Sequence, residues 1–290
     1  GKPIVTPSQD MILGNYYLTI EKSKEDFLAH GEKCRARGDI EEAQKYELYA
    51  ASEGKVFRSV EEVQTAYATK QIHLHSRIAI LWSALKKSFG NEYEDRPYLL
   101  TTVGKILFNI IFPADFPYLE DSSKDNLVER DGSYVYEKYR VGFGTNIREE
   151  IASRPLVLPF KKGVLSTIIN EVFKRYGTGL TSVILDKIKD QGFKYSTVAG
   201  VTVAISDMSI VEGKFDIVAK GEEQVTKLEK KFARGLLTEQ EKYKLVTDIW
   251  TNAKRDVTAL LKTQLEADKR NPLWFMLDSG ARGSYDNFVQ

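Results

Sequence analysis

The sequence predicts an α+β protein: helices and strands mixed through the first two-thirds, then a long antiparallel helical hairpin. Three observations predict it. Short apolar runs of alternating polarity recur as far as residue 205, as in half-buried strands. From residue 160 onward, apolar residues mostly return every three and four positions, as in amphipathic helices. Two such helical stretches meet at Arg234-Gly235-Leu236-Leu237, a link short enough to make them antiparallel neighbours.

The elements follow in order. Pro3 and Pro7 frame a turn, and Asp10 is placed to cap what comes next. In the apolar run 11–20, Tyr16, Leu18 and Ile20 alternate with Tyr17 and Thr19, which predicts a strand. Residues 21–52 turn rich in Glu, Lys and Ala with helical spacing around Ile40 to Tyr46, so they read as a charged helical insertion on the surface. Ser59, with Glu62 three residues on, predicts the start of a helix reaching Thr69. Residues 71–78 alternate and predict a strand. Residues 101–108 open a helix that stops before Pro113. The stretch 113–159, with Pro113, Pro117, Pro155 and Pro159 among Asp, Ser and Gly, predicts irregular connections.

Leu165, Ile168, Ile169, Val172 and Phe173 then stripe one helix, which Gly177 is expected to end. A second runs over 181–190, and Val201, Val203 and Ile205 suggest a short strand. Val225, Leu228 and Phe232 mark the first arm of the hairpin, broken at Gly235. Tyr243, Val246, Trp250, Ala253, Val257, Leu260 and Gln264 mark a heptad-like seam on the second, from Thr238 to Leu265. Thr238 and Glu241 form its capping box.

Composition narrows the function. The chain has 290 residues, with 42 Lys and Arg against 41 Asp and Glu, 42% hydrophobic and 29% charged residues. Whole-chain disorder and collagen-like repeats are excluded. A net charge of +1 argues against a free-standing nucleic-acid binder, whose affinity comes from neutralising phosphates. A piece of a larger machine, with positive field supplied elsewhere, stays open. The single cysteine, Cys34, permits no internal disulfide and points to an intracellular chain. No apolar run approaches the ~18–20 residues of a membrane span. The chain starts at Gly1 without Met and ends at Gln290 without a stop signal, so both ends read as cut.

Catalytic patterns are mostly missing. There is no Gly-x-x-x-x-Gly-Lys-Ser/Thr loop, no Gly-x-Gly-x-x-Gly, no His-Glu-x-x-His, and no Asp-x-Asp pair to hold catalytic magnesium. His73 and His75 lie two apart on the expected strand, but a metal site needs a third and fourth ligand, and His30 alone remains. Ser8-Gln9-Asp10 after Pro7 reads as a turn, or as an amide held toward a ligand by a rigid proline turn. In Met276 to Ser284, glycines flank Arg282; small residues let backbone N–H groups approach an anion, and the guanidinium offers a bidentate fork for phosphate. The basic pairs Lys161-Lys162 and Lys230-Lys231 have acids nearby and read as solvated helix faces, while the hairpin tip offers partners a rigid edge. On these grounds alone, a stand-alone interaction protein presenting a helical hairpin is the alternative to a piece of an enzyme.

Several segments resemble one family closely: Gly1 through Thr19, containing Thr6-Pro7-Ser8-Gln9-Asp10-Met11; His73-Leu74-His75-Ser76-Arg77; Thr101-Thr102-Val103-Gly104-Lys105; Pro159-Phe160-Lys161-Lys162-Gly163; Gly192-Phe193-Lys194-Tyr195-Ser196-Thr197; and Asn271-Pro272 through Gln290. In order, and over nearly the whole chain, they are similar to the bacterial RNA polymerase β′ subunit family, Firmicutes type. Residues 25–49 do not fit its pattern and read as a lineage-specific extension. The resemblance implies an internal β′ segment: a pore and secondary-channel region over 1–210, then a funnel hairpin and substrate-path segment over 211–290. It implies that Gln9, Met276, Arg282 and Gln290 line the path of nucleoside triphosphates, with Arg282 on the triphosphate. It places a docking rim for transcript-cleavage factors at Lys230, Lys231, Arg234, Gly235, Leu236 and Thr238. The catalytic Asp-rich loop that binds Mg²⁺ is expected just before residue 1, so the segment itself should hold no cofactor and no polymerase activity. The implied partners are the β, α, ω and σ subunits, with DNA and RNA only in the full cytoplasmic complex.

Overall fold

The computed structural model describes residues 6–88, 94–122, 127, 134–208, 210–268 and 271–289. The chain divides into two units, residues 1–200 and residues 201–290. The architecture is α+β, as the sequence predicts.

The first unit contains a four-stranded sheet in the order β1 (Val56–Phe57), β2 (Arg77–Leu81), β3 (Tyr98–Thr102), β4 (Arg140–Val141). β1 runs parallel to β2, and the other neighbours are antiparallel, with Ile78 opposite Thr101 and Ile80 opposite Leu99. β2 and β3 are buried along most of their length, which is why Arg77-Ile78-Ala79-Ile80-Leu81 shows no polar alternation. Ala79, Leu100, Val141 and Ile151 form a cluster under the helix Ile147–Ser153.

Several expected elements change type or length. Residues 11–20 are not a strand: helix α1 (Asp10–Leu18) occupies most of them. Ile12, Leu13, Asn15, Tyr16 and Leu18 are all buried, and a helix enclosed on every side has no polar stripe to reveal its period. Gln9, rather than Asp10, holds the N-cap position. The charged insertion folds as α2 (Lys24–Ala36) and α3 (Ile40–Ala51), but its inner side joins the core through Phe27, Ala43 and Ala50. α4 (Val60–Ala68) starts as predicted, with Ser59 Oγ accepting from Glu62 N–H. The strand expected over 71–78 begins only at Arg77, because 73–76 fold into a turn: Ser76 N–H donates to the His73 carbonyl at 3.1 Å, and His73 N–H to Ser76 Oγ at 3.0 Å. Thr101 and Thr102 finish β3, and the Thr102 hydroxyl caps α5 (Val103–Asn109). Residues 113–159 contain β4, one turn of 3₁₀ helix (Val135–Tyr139) and α6 (Ile147–Ser153) between irregular stretches. The helix expected to end at Gly177 resumes beyond it. Gly177 has φ 67° and ψ −168°, so α7 (Lys162–Ala199) is two helical arms joined at a kink, and the stretch 181–190 belongs to the second arm.

In the second unit the strand expected near Val201 to Ile205 is absent. Val203 and Ile205 are exposed, Ile205 by 92%, and Ile205–Asp207 is a 3₁₀ turn. α8 (Lys214–Ala233) and α9 (Glu239–Ala267) form the predicted hairpin. Its antiparallel sense follows from three contacts: Gly213 faces Leu260, Gly221 faces Trp250, and Lys242 Nζ lies 4.7 Å from the Phe232 ring centroid. The seam differs from the expected one at both ends. Tyr243 is exposed, and the buried positions at the base are Ala253, Val257, Leu261 and Leu265 rather than Leu260 and Gln264. Leu261 and Leu265 are drawn inward by Val211 and by Trp274 of α10 (Pro272–Ser279), with Leu277 and residues of α11 (Tyr285–Val289) packed around them. Only the hairpin base acquires a core.

Candidate functional site

Gln9 owes its position to α1. That helix lies against α7 with almost no side chain between them: a Cβ on Gly14 would stand 1.7 Å from the Gly192 carbonyl oxygen. Asn15 Nδ2 bridges the contact, donating to the Met11 carbonyl at 2.8 Å and to the Ile188 carbonyl at 2.9 Å. At its other end a Cβ on Gly104 would meet the Leu18 carbonyl oxygen at 1.7 Å, and Thr19 Oγ1 accepts from Phe160 N–H at 2.9 Å. So fixed, α1 carries at its start a turn with Pro7 buried and Gln9 exposed. Gln9 has φ 46° and ψ −117°, and a side-chain-bearing residue held there costs on the order of 1–3 kcal/mol. Its carbonyl accepts from Ile12 and Leu13 N–H at 3.0 Å each. The proline-held amide read from the sequence is thus presented at a helix start.

Met276 sits in the last turns of α10 and Arg282 on the connection that follows; both belong to the second unit, and Gln9 to the first. The connection is built from two left-handed glycines, Gly280 at φ 74° and Gly283 at φ 80°. Buried Ser279 braces it: its hydroxyl donates to the Met276 carbonyl at 3.0 Å and accepts from Ala281 N–H at 3.2 Å. Arg282 is exposed on this braced loop. Gln290 lies outside the described residues.

The six rim residues form the hairpin tip, and all are exposed. Gly235 N–H donates to the Phe232 carbonyl at 2.9 Å and Leu236 N–H to the Lys231 carbonyl at 3.1 Å, the paired bonds of a Schellman end, with Gly235 at φ 69°. Lys230 and Lys231 occupy the last turn of α8, where cations suit the helix dipole. Thr238 and Glu241 close the capping box of α9, with Thr238 N–H to Glu241 Oε2 at 2.9 Å. The tip is a short, capped turn carrying Lys230, Lys231 and Arg234 around Leu236, which is 67% exposed.

Two buried polar groups lie apart from these residues, and the first escapes a sequence reading. Lys105 Nζ, fully buried, donates to Glu21 Oε1 at 2.6 Å and Glu120 Oε1 at 2.9 Å. Burial alone would lower the Lys105 pKa, but the two carboxylates outweigh it and raise it. Burial also pushes the Glu120 carboxyl upward, against the pull of Lys105. The partners are far apart in sequence, and a buried lysine is rare enough that no local pattern announces it. The second group is the histidine pair. His73 lies against Phe27 and Tyr49, with ring centroids 5.2 Å away in each case, and against His75 at 4.8 Å. His75 reaches Tyr17 at 4.5 Å, and its Nε2–H donates to the Tyr17 carbonyl at 2.8 Å. His75 N–H donates to His73 Nδ1 at 3.1 Å, so that nitrogen carries no proton. Burial lowers His73 to about 3 and His75 well below its ordinary value. Both histidines serve packing between the insertion and α1. Among the described residues, no three His, Cys, Asp or Glu side chains converge as metal ligands, and no helix is long and apolar enough to cross a membrane.

Residues 1–208 match the family model described as RNA polymerase Rpb1, domain 3, and residues 237–290 match RNA polymerase Rpb1, domain 4. The whole chain is 44% identical over 290 residues to the DNA-directed RNA polymerase subunit β′ of Shouchella clausii, and 43% identical over 290 residues to that of Geobacillus kaustophilus. It is 43% identical over 291 residues to that of Acholeplasma laidlawii. The chain spans 22%, 22% and 20% of these relatives' lengths.

Proposed function

The chain belongs to the RNA polymerase Rpb1/β′ family, and from that premise we propose that it lines the secondary channel by which nucleoside triphosphates reach the active centre of a DNA-directed RNA polymerase. One observation carries the proposal: an exposed arginine, Arg282, on a connection made of two left-handed glycines and braced by Ser279. A guanidinium on a fixed loop can bind phosphate oxygens in pairs without first ordering its own backbone. Gln9, Met276 and Gln290 complete the path in this proposal.

The hairpin tip is the docking rim for transcript-cleavage factors, a role supported by its exposed cations and doubly capped turn. Catalytic magnesium and the chemistry of nucleotide addition belong to residues outside this chain, whose sequence has no Asp-x-Asp pair. The segment alone is therefore inactive. Its partners are the β, α, ω and σ subunits, with DNA and RNA engaged in the full cytoplasmic complex.

The test is Arg282→Ala in the assembled polymerase, read by single-nucleotide extension over a range of substrate concentrations. Loss of a charged hydrogen bond of about 1.5–3 kcal/mol raises the apparent KM roughly ten- to hundredfold while saturating rates change less. An unchanged KM removes Arg282 from the triphosphate path.

A further inference from the structure

The loop that carries Arg282 is held at its far end as well as at Ser279. It covers residues 280–284, between the end of α10 and the start of α11. Gly280 N–H donates to the Leu277 carbonyl at 3.1 Å, and the chain then folds back over that same residue. A Cβ on Gly283 would stand 3.4 Å from Leu277 Cδ2 and 3.1 Å from Phe288 Cε2. The Phe288 ring thus takes up the room that a side chain at residue 283 would need, one residue from Arg282. Glycine suits this position for two reasons, its φ of 80° and the close approach of the ring. Phe288 is itself anchored, because it packs against the cluster of Val211, Leu261, Leu265 and Trp274 at the hairpin base. One ring therefore links the loop to the core of the second unit.

We infer that Phe288 is a positioning residue for Arg282, acting through Gly283; this rests on the reading of Arg282 as a triphosphate contact. Ser279 fixes where the loop leaves α10, Phe288 fixes where it returns, and the exposed Arg282 stands between them. A backbone held at both ends has less freedom to lose when an anion binds the guanidinium. Without the ring, Gly283 keeps its apolar contact on the Leu277 side alone, and a glycine released on one side has wide backbone freedom. A second tie joins α11 to α9, the ion pair of Lys254 Nζ with Asp286 Oδ1 at 3.0 Å. Its side chains are 47% and 72% exposed, and a surface pair of this kind contributes little. The ring is the stronger of the two ties.

The experiment is a double-mutant cycle in the assembled polymerase: Phe288→Ala, Arg282→Ala and the two together. Each enzyme is read by the apparent KM and the saturating rate of single-nucleotide extension. Phe288→Ala is expected to raise KM about three- to tenfold while the saturating rate changes less, as a misaimed cation should. In the Arg282→Ala background the same change should move KM by less than about twofold, since the contact it aims is already gone. Phe288→Leu keeps part of the apolar packing, should give a smaller rise, and carries the cycle if Phe288→Ala does not assemble. A general loss of folding would instead lower the active fraction and leave KM unmoved. An unchanged KM in both Phe288 variants, or a rise that multiplies in full with that of Arg282→Ala, would overturn the inference alone. A parental KM in Arg282→Ala would remove the triphosphate reading and the inference with it.

Discussion

Gly14 and Gly192 meet backbone to backbone, and that contact sets the position of Gln9. With a Cβ on Gly14 placed 1.7 Å from a carbonyl oxygen, α1 cannot stay where it is. Gly14→Ala is therefore expected to destabilise the chain by about 3 kcal/mol, the upper end of ordinary overpacking, seen as a fall in urea midpoint. Gly179→Ala is the control: in the same helix α7 its Cβ meets nothing within 4 Å, and it should be neutral or stabilising by up to about 1 kcal/mol. Equal effects at the two sites would refute the close-approach explanation. The histidines give a second residue-scale prediction. His73 and His75 are neutral in the fold, with pKa values below the ordinary 6.5. The unfolded chain takes up their protons first as pH falls, so their stabilisation is present above pH 6.5 and is lost from there toward about 3. The slope is on the order of 1 kcal/mol per pH unit per histidine. Glu120, pushed upward by burial, acts in the opposite sense. The measurement is accordingly the difference between the parent and His73→Phe in unfolding between pH 7 and 5, which should shrink by one histidine's share; parallel curves would contradict it.

Elements whose signals are local were legible in the sequence. Ser59 and Glu62 marked the start of α4, and Thr238 and Glu241 that of α9, because a cap and its partner lie three residues apart. α8, Gly235 and α9 were legible for the same reason. What failed depended on distant packing: α1 is enclosed by α5 and α7, Leu261 and Leu265 are drawn inward by Trp274, and the turn at His73 to Ser76 interrupts an alternating pattern. At the candidate site, the glycines flanking Arg282 were readable, whereas their left-handed backbone, the bracing by Ser279 and the partners of Lys105 were not, since they are set by folded geometry. The hairpin tip supports an element-scale prediction. Reversing Lys230, Lys231 and Arg234 to Glu in the assembled enzyme should abolish most factor-stimulated transcript cleavage and leave elongation intact, because these side chains are exposed and surface changes typically shift stability by within about 0.5 kcal/mol. Cleavage at the normal rate would exclude the tip as the docking site.

At the scale of the whole molecule, the balance of 42 cations against 41 anions suits a channel wall better than a nucleic-acid grip. The wall in the secondary-channel proposal needs only a few placed charges, and Arg282 on its braced loop is the one proposed. The chain covers about a fifth of its relatives' length. The most direct measurement uses the assembled polymerase and a nucleoside triphosphate carrying a photoreactive group on its γ-phosphate. After irradiation, crosslinked peptides are mapped with and without excess unlabelled nucleotide. The secondary-channel proposal predicts competable crosslinks in the segment from Met276 to Arg282 and near Gln9. Crosslinks confined to other parts of the polymerase, with none competed from these two segments, would contradict it.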